Sequence, residues 1–112
     1  MRRVHELSEG LTDPVSRLRR AMLTDRIAVM EGRLQIYGTQ IDWTADGVLE
    51  PLPVGNPAGV DGRRAEAGLG SLVHELVRLR ARSAAEGERP PADWRVYDAE
   101  RTLFAIEAGW RE

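Results

Sequence analysis

The dipeptide Asp46-Gly47 constrains the fold of this chain more than any other feature of the sequence. Asp-Gly between two β-rich runs is typical of a tight hairpin turn, because such turns need residues that accept a positive φ. One run covers residues 41–43 and the other covers residues 48–50, and the prolines that follow mark the second strand as an edge strand or mark its end. We therefore predict that these runs pair antiparallel and that Gly47 has a positive φ.

Helical patterns lie on both sides of the hairpin. The first predicted helix runs from Val15 to Glu31, with Asp13 as its cap, and further helices are predicted over residues 71–86 and 93–109. A short helical turn over residues 60–67 is predicted in the loop after the hairpin. The expected fold class is α+β, mainly α, with about three main helices packed around one β-hairpin. We expect a single domain over residues 1–112, with a loosely ordered amino terminus over residues 1–10.

The apolar faces of the predicted helices give a predicted core. Its members are Leu18, Met22, Val29, Leu72, Leu76, Trp94, Tyr97 and Phe104. Truncation of one of these side chains in a packed core, as in Phe104→Ala, should lower the free energy of unfolding by about 3–5 kcal/mol.

Composition excludes several classes of function. The chain has no cysteine, which excludes disulfides, thiolate nucleophiles and zinc ribbons. All 16 positive residues are arginine, yet the 18 acidic residues give a net charge of −2, which argues against a nucleic-acid partner. No apolar run approaches the ~20 residues of a membrane span, and we expect a cytoplasmic protein. We predict no metal and no cofactor; the expected partner is a small molecule, and a homo-oligomer stays open.

Polar side chains accumulate in the first part of the predicted strand. The strand is predicted from residue 33 onward, and Gln35, Tyr37 and Thr39 fall on one of its faces, with Gln40 next in the chain. A half-buried strand does not need such a face. Amides and a phenol donate and accept hydrogen bonds at fixed positions, so this face suits the binding of a polar ligand or of a neighbouring loop.

Two flanking groups extend this polar set. Asp25 and Arg26 lie late in the first helix, and Asp61, Arg63 and Arg64 follow in the loop after the hairpin. Asp61 suits a helix cap as well as a site. The arginines can pair with an acidic side chain or bind a carboxylate or phosphate ligand through the guanidinium fork.

Three hypotheses fit these residues. The first is a small cofactor-independent enzyme of specialised or accessory metabolism with a small polar or anionic substrate. In it Asp25 is the base, Tyr37 is an acid or an oxyanion donor, and Gln40 is, with Gln35, an orienting amide. Its predicted substrate-binding residues are Arg26, Gln35, Thr39, Asp61, Arg63 and Arg64. The second is a non-catalytic domain that binds a small ligand. The third is a structural or protein-interaction domain in which the polar residues form a brace. If these polar residues line an open pocket, the first two hypotheses are favoured. If they are buried and bonded to backbone groups, the third hypothesis is favoured.

The same segments resemble a bacterial family, domain-of-unknown-function family 6624. The resemblance spans residues 11–76 and is carried by Leu23-Thr24-Asp25-Arg26, Gln35-x-Tyr37-Gly38-Thr39-Gln40 and Val60-Asp61-x-Arg63-Arg64. The residues from Pro91 onward look like the tails of actinobacterial members. Members of the family carry further helices upstream with a His-Ala-Asp segment, so the chain resembles a shortened actinobacterial-type member. The resemblance implies no particular activity.

Overall fold

The computed structural model of the chain describes residues 13–110. Within this range it contains four α-helices and one two-stranded antiparallel sheet. The elements are α1 (Pro14–Met30), β1 (Ile41–Trp43), β2 (Leu49–Pro51), α2 (Val60–Glu66, preceded by a 3-10 turn at Pro57–Gly59), α3 (Leu72–Ala85) and α4 (Trp94–Glu107). The predicted fold class is confirmed. The predicted loose amino terminus, residues 1–10, lies outside the described range. No helix in that range is both long and apolar enough to cross a membrane.

Capping side chains fix where the long helices begin. Asp13 accepts a hydrogen bond from the backbone N–H of Ser16 at 2.9 Å, and Ser71 accepts one from the backbone N–H of His74 at 3.2 Å. Asp93 caps α4 in the same way. Each cap satisfies a backbone N–H that has no partner inside the first turn of the helix. The predicted helix boundaries are confirmed to within two residues.

The hairpin forms at the predicted dipeptide, with a longer loop. Gly47 has a φ of 74°. Thr44 donates its N–H to the carbonyl of Val48 at 2.9 Å and accepts the N–H of Gly47 at 3.0 Å. This is a three-residue loop that ends in a left-handed glycine. The loop shifts the second strand one residue later than predicted, so that the pairs are Ile41 with Pro51, Asp42 with Glu50 and Trp43 with Leu49.

The predicted strand over residues 33–40 is wrong. This segment is a loop, here called the 33–40 loop, and its contact with a neighbouring strand-like segment is an isolated bridge between Gln35 and Val54. Three of its backbone N–H groups bind the side chain of Asp25 and are therefore not available to a β-ladder. Gly38, with a φ of 69°, turns the chain in the middle of the segment.

The interior is smaller and more polar than predicted. The buried apolar residues of the described range are Ala21, Ala28, Val60 and Ala105. The predicted core is wrong for Leu18, Met22 and Phe104, which are 39%, 44% and 62% exposed. Its other five members are half-buried. On α1 the buried residues are Ala21, Asp25 and Ala28, so that Leu18 and Met22 lie outside the buried face of this helix.

The last helix is fixed to the hairpin by polar contacts. The hydroxyl of Tyr97 donates to both carboxylate oxygens of Asp42, at 2.5 and 2.7 Å. Arg101 reaches the same carboxylate at 2.8 Å and also pairs with Asp98 at 2.7 Å. Burial, followed by the hydrogen bond to Asp42, raises the pKa of Tyr97 to about 12. One carboxylate on β1 thus anchors two side chains of α4.

Candidate functional site

The carboxylate of Asp25 lies at the centre of the polar residues that the sequence singles out. Asp25 is 0% exposed. Its Oδ1 accepts the backbone N–H groups of Ile36 at 2.9 Å and Tyr37 at 3.1 Å. Its Oδ2 accepts the backbone N–H of Thr39 at 2.9 Å and the Thr39 hydroxyl at 2.8 Å. The four bonds occupy the lone pairs of the carboxylate and hold the 33–40 loop on α1.

Gln35 ties the same loop to the chain that follows β2. The residue is 1% exposed. The amide nitrogen donates to the carbonyls of Gln40 at 3.0 Å and Leu52 at 2.7 Å, and the amide oxygen accepts the N–H of Gln40 at 2.7 Å. The backbone of Gln35 also bonds Pro53 and Gly55, both at 2.9 Å. Every polar group of this residue is therefore occupied by the backbone of a neighbouring segment.

Tyr37 and Gln40, predicted as catalytic partners of Asp25, contact the site in a different way. Both are half-buried. The amide nitrogen of Gln40 makes only long bonds, to the carbonyl of Met22 at 3.5 Å and the hydroxyl of Thr39 at 3.3 Å. The phenol of Tyr37 forms no hydrogen bond to any residue of the described segment, and it lines a small recess beside α2. Asp25 binds the N–H of Tyr37, not its phenol.

Arg63 fastens the 33–40 loop to the start of α2. Its Nε donates to the carbonyl of Ile36 at 2.8 Å. Its two terminal nitrogens donate to the carbonyls of Asn56 at 3.2 Å and Gly55 at 2.6 Å. The guanidinium is thus used to bind three backbone carbonyls.

Arg64 and Asp61 bind backbone groups as well. Arg64 is 2% exposed and donates from Nε to the carbonyl of Gly70 at 2.7 Å and from Nη1 to that of Tyr37 at 2.8 Å. Asp61 accepts the backbone N–H of Leu72 at 2.9 Å and so helps to cap α3. Neither Arg63 nor Arg64 forms an ion pair with Asp25, whose oxygens are already occupied.

Arg26 does not join the other predicted site residues. It is exposed and lies on another side of α1. There it lines a shallow cavity together with Phe104 and Trp110 of the carboxy-terminal segment. The sequence places Arg26 beside Asp25, but consecutive residues of a helix point about 100° apart.

A cleft of about 490 Å³ lies between α1, α3 and the segment that joins α2 to α3, and is here called the α1–α3 cleft. Its walls include Leu18, Met22, Thr39, Arg64, Arg78 and Arg82. Thr39 and Arg64 are predicted site residues, whereas Arg78 and Arg82 were missed. Their alternation with Arg80 along α3 suggests scattered surface charges, yet a spacing of four residues puts Arg78 and Arg82 on one helical face.

Chemically, these residues form a saturated polar cluster. Asp25 cannot take a proton from a ligand unless it releases a loop N–H, and Gln35 cannot bind a ligand unless it releases a carbonyl. The guanidinium groups of Arg63 and Arg64 donate to backbone carbonyls and form no ion pair with a carboxylate of residues 13–110. In residues 13–110, no three His, Asp or Glu side chains lie close enough together to hold a metal ion.

Comparison with known proteins gives a family match. A family model described as a family of unknown function, DUF6624, matches residues 11–86. No curated protein matches the chain. No solved structure matches it either. The 33–40 loop, Asp25, Arg63 and Arg64 lie inside the matched segment, and α4 lies outside it. Because the match covers more than half of the sequence, the chain belongs to DUF6624, a family of unknown function.

Proposed function

We propose that this chain is a non-catalytic domain that binds a small ligand in the α1–α3 cleft, and that the polar residues around the 33–40 loop are a structural brace. The observation that carries the proposal is the saturation of Asp25, which is 0% exposed and accepts four hydrogen bonds from the loop. A general base needs a free lone pair within hydrogen-bond reach of its substrate. Asp25 has none to offer.

The brace and the cleft share two residues. Thr39 and Arg64 both hold the 33–40 loop and both line the cleft. The brace therefore fixes one wall of the cleft in a single conformation, which reduces the conformational entropy that the protein loses when a ligand binds. The cleft volume of about 490 Å³ is within the range of roughly 300–1,000 Å³ that is typical of small-molecule sites.

The alternative of an acid–base enzyme of specialised metabolism has weaker support. Tyr37 lines a separate recess beside α2, with Glu66 and Ala67. Asp25 lines neither that recess nor the α1–α3 cleft. The proposed base and the proposed acid thus do not face a common space. From the sequence, we further propose that the protein is cytoplasmic and is an actinobacterial type of family member.

A stability measurement tests the brace. Asp25→Asn keeps the shape of the side chain but turns an –NH₂ group toward N–H and O–H donors. We expect the free energy of urea unfolding to fall by about 2–4 kcal/mol, because a buried N–H loses its acceptor and a charge-assisted site becomes neutral. Arg26→Gln, at the exposed next position, is the matched control and should stay within about 0.5 kcal/mol of the wild type. An Asp25→Asn protein as stable as the wild type would show that the carboxylate is not a brace.

Methyl NMR tests the binding site. Met22 and Leu79 line the cleft, whereas Val73 and Val77 are 70% and 62% exposed and do not line it. We would add hexanoate, hexanamide and hexylammonium in turn. At least one of them should shift the methyl signals of Met22 and Leu79 while those of the two valines stay in place. If none of the three shifts the cleft methyls, the proposal that the cleft binds small ligands is wrong.

A further inference from the structure

Arg64 carries a buried positive charge that forms no direct ion pair with a carboxylate of residues 13–110. The residue is 2% exposed. Its partners are the carbonyls of Gly70 and Tyr37, at 2.7 and 2.8 Å, and the ion pairs among the described residues do not include it. Carbonyl dipoles offset only part of the cost of removing a charge from water. No carboxylate of residues 13–110 lies within ion-pair distance of this guanidinium.

One part of the Arg64 guanidinium remains open toward the cleft. Nε and Nη1 donate to carbonyls, whereas Nη2 has no hydrogen-bond partner in residues 13–110. Nη2 is also not sealed inside the protein. In the same range, the one side-chain nitrogen or oxygen that is fully buried without a partner is Ser83 Oγ. Because Arg64 lines the α1–α3 cleft, we place the free N–H groups of Nη2 at the cleft wall.

The rest of the cleft wall adds positive charge. Arg78 and Arg82 line the cleft from one face of α3, and Glu75 is the acidic residue among the lining side chains. Glu75 pairs with Arg78 at 2.7 Å. Three guanidinium groups therefore face one carboxylate in this cleft. The resulting positive potential attracts an anionic ligand.

The donors in the cleft suit a carboxylate better than a phosphate. A carboxylate has two oxygens that accept hydrogen bonds, and Arg64 Nη2 and the Arg82 guanidinium offer donors for both. Phosphate sites usually add several backbone N–H groups from a helix N-terminus or a loop. Here the N–H groups of Gly68 and Leu69 already donate to the carbonyls of Ala65 at 3.0 Å and Arg64 at 2.8 Å. The loop at the cleft wall thus has no such donors at these two positions.

Apolar side chains make up the remaining walls, among them Met22 of α1 and Leu79 of α3. We infer that the α1–α3 cleft binds an organic carboxylate. The carboxylate oxygens bind Nη2 of Arg64 and the guanidinium of Arg82 at the rim, and the apolar body of the ligand packs against Met22 and Leu79. This inference rests on the proposed function, because it names the ligand class of the same cleft.

A pair of ligands of equal shape tests the inference. Hexanoate and hexanamide differ in charge and not in the apolar body. We expect hexanoate to bind about tenfold more tightly in methyl NMR titrations, because a hydrogen bond to a charged group is worth about 1.4 kcal/mol more than one to a neutral group. Added salt should weaken the binding of hexanoate and leave that of hexanamide unchanged. Equal affinities for the two ligands would overturn the inference.

Arg82→Gln tests the positive rim without disturbing the brace, since Arg64 also holds the 33–40 loop and its removal would weaken the fold. The substitution should raise the Kd for hexanoate about two- to fivefold and leave the Kd for hexanamide unchanged. Arg95→Gln, on the exposed side of α4, is the control and should change neither. An unchanged Kd for hexanoate in Arg82→Gln contradicts the inference.

Two further outcomes separate the inference from the proposed function. Binding of hexanamide or hexylammonium at Met22 and Leu79 without binding of hexanoate would agree with the proposed function. It would overturn the inference that the ligand is a carboxylate. Tighter binding of inorganic phosphate than of hexanoate would also overturn it, and would assign the cleft to a phosphate instead.

Discussion

Ionisation of Tyr97 at high pH should weaken the attachment of α4 to the hairpin. The Tyr97 hydroxyl donates to both oxygens of Asp42, at 2.5 and 2.7 Å. A phenolate cannot donate these bonds, and it repels the Asp42 carboxylate. Burial and the Asp42 hydrogen bond accordingly raise the pKa of Tyr97 to about 12 in the folded protein.

The sign and size of the effect follow from the two pKa values of Tyr97. In the unfolded chain, a tyrosine has a pKa of about 10. Because the folded pKa is higher, the stabilisation is fully present below about pH 10 and is lost as the pH rises toward 12. A shift of two pKa units corresponds to about 2.7 kcal/mol. Since Tyr97 and Asp42 are partly exposed, solvent screening reduces the expected loss to about 1–1.5 kcal/mol.

The composition allows the titration of Tyr97 to be measured without interference from lysine or cysteine side chains. The chain has neither lysine nor cysteine, so tyrosines are the only side chains whose ordinary pKa lies between about 9 and 12. Tyr37→Phe leaves Tyr97 as the one phenol, and absorbance at the phenolate band then gives its titration directly. Urea unfolding of this variant at about pH 9 and about pH 12 should show the expected loss of free energy.

The matched control is the double variant Tyr37→Phe/Tyr97→Phe. It lacks both phenols, so its free energy of unfolding should change less between the two pH values. If the single and the double variant show the same pH dependence, the Tyr97–Asp42 contact does not stabilise α4 in the way we infer.

Three further substitutions test the fold and the brace by urea unfolding. Tyr37→Phe at neutral pH should change the free energy of unfolding by less than about 0.5 kcal/mol, since its hydroxyl has no hydrogen-bond partner among the described residues; a loss of about 1 kcal/mol would reveal one. Phe104→Ala should cost less than about 1 kcal/mol, because a side chain that is 62% exposed leaves no cavity; a loss of about 3–5 kcal/mol would restore the predicted core. Gly38→Ala should destabilise more than Gly68→Ala. Both positions have a positive φ, but the new Cβ would lie 3.2 Å from Leu72 at position 38 and would meet nothing within 4 Å at position 68; equal losses would contradict the crowding.

The features that the sequence predicts correctly are those set by neighbouring residues. Asp13 and Ser71 each accept a hydrogen bond from the N–H group three residues later, and Asp46-Gly47 forms the turn in which it lies. The polar residues around Asp25 stand out for a related reason, since a helix or strand pattern does not require amides or a phenol at these positions. The sequence offers a brace as one of three hypotheses, but it cannot choose among them, because the choice depends on which groups the carboxylate of Asp25 binds.

The conformation of the 33–40 loop could not be predicted from the pattern of its own residues. Its alternation of apolar and polar residues is typical of a strand, but Asp25 accepts N–H groups that lie 11 to 14 residues further along the chain. Periodicity within a segment carries no information about an acceptor on another element. The predicted core failed for the same kind of reason, because helical spacing identifies an apolar face but does not say how large the surface opposite it is.

The attachment of the 33–40 loop to Asp25 also has a consequence for hydrogen exchange. The amides of Ile36, Tyr37 and Thr39 bond to a side chain of α1 rather than to their own neighbours. They become available to solvent only when the loop leaves the helix or when the helix itself opens. A segment without regular secondary structure should therefore exchange its amide protons together with the middle of α1, as part of one cooperative unit.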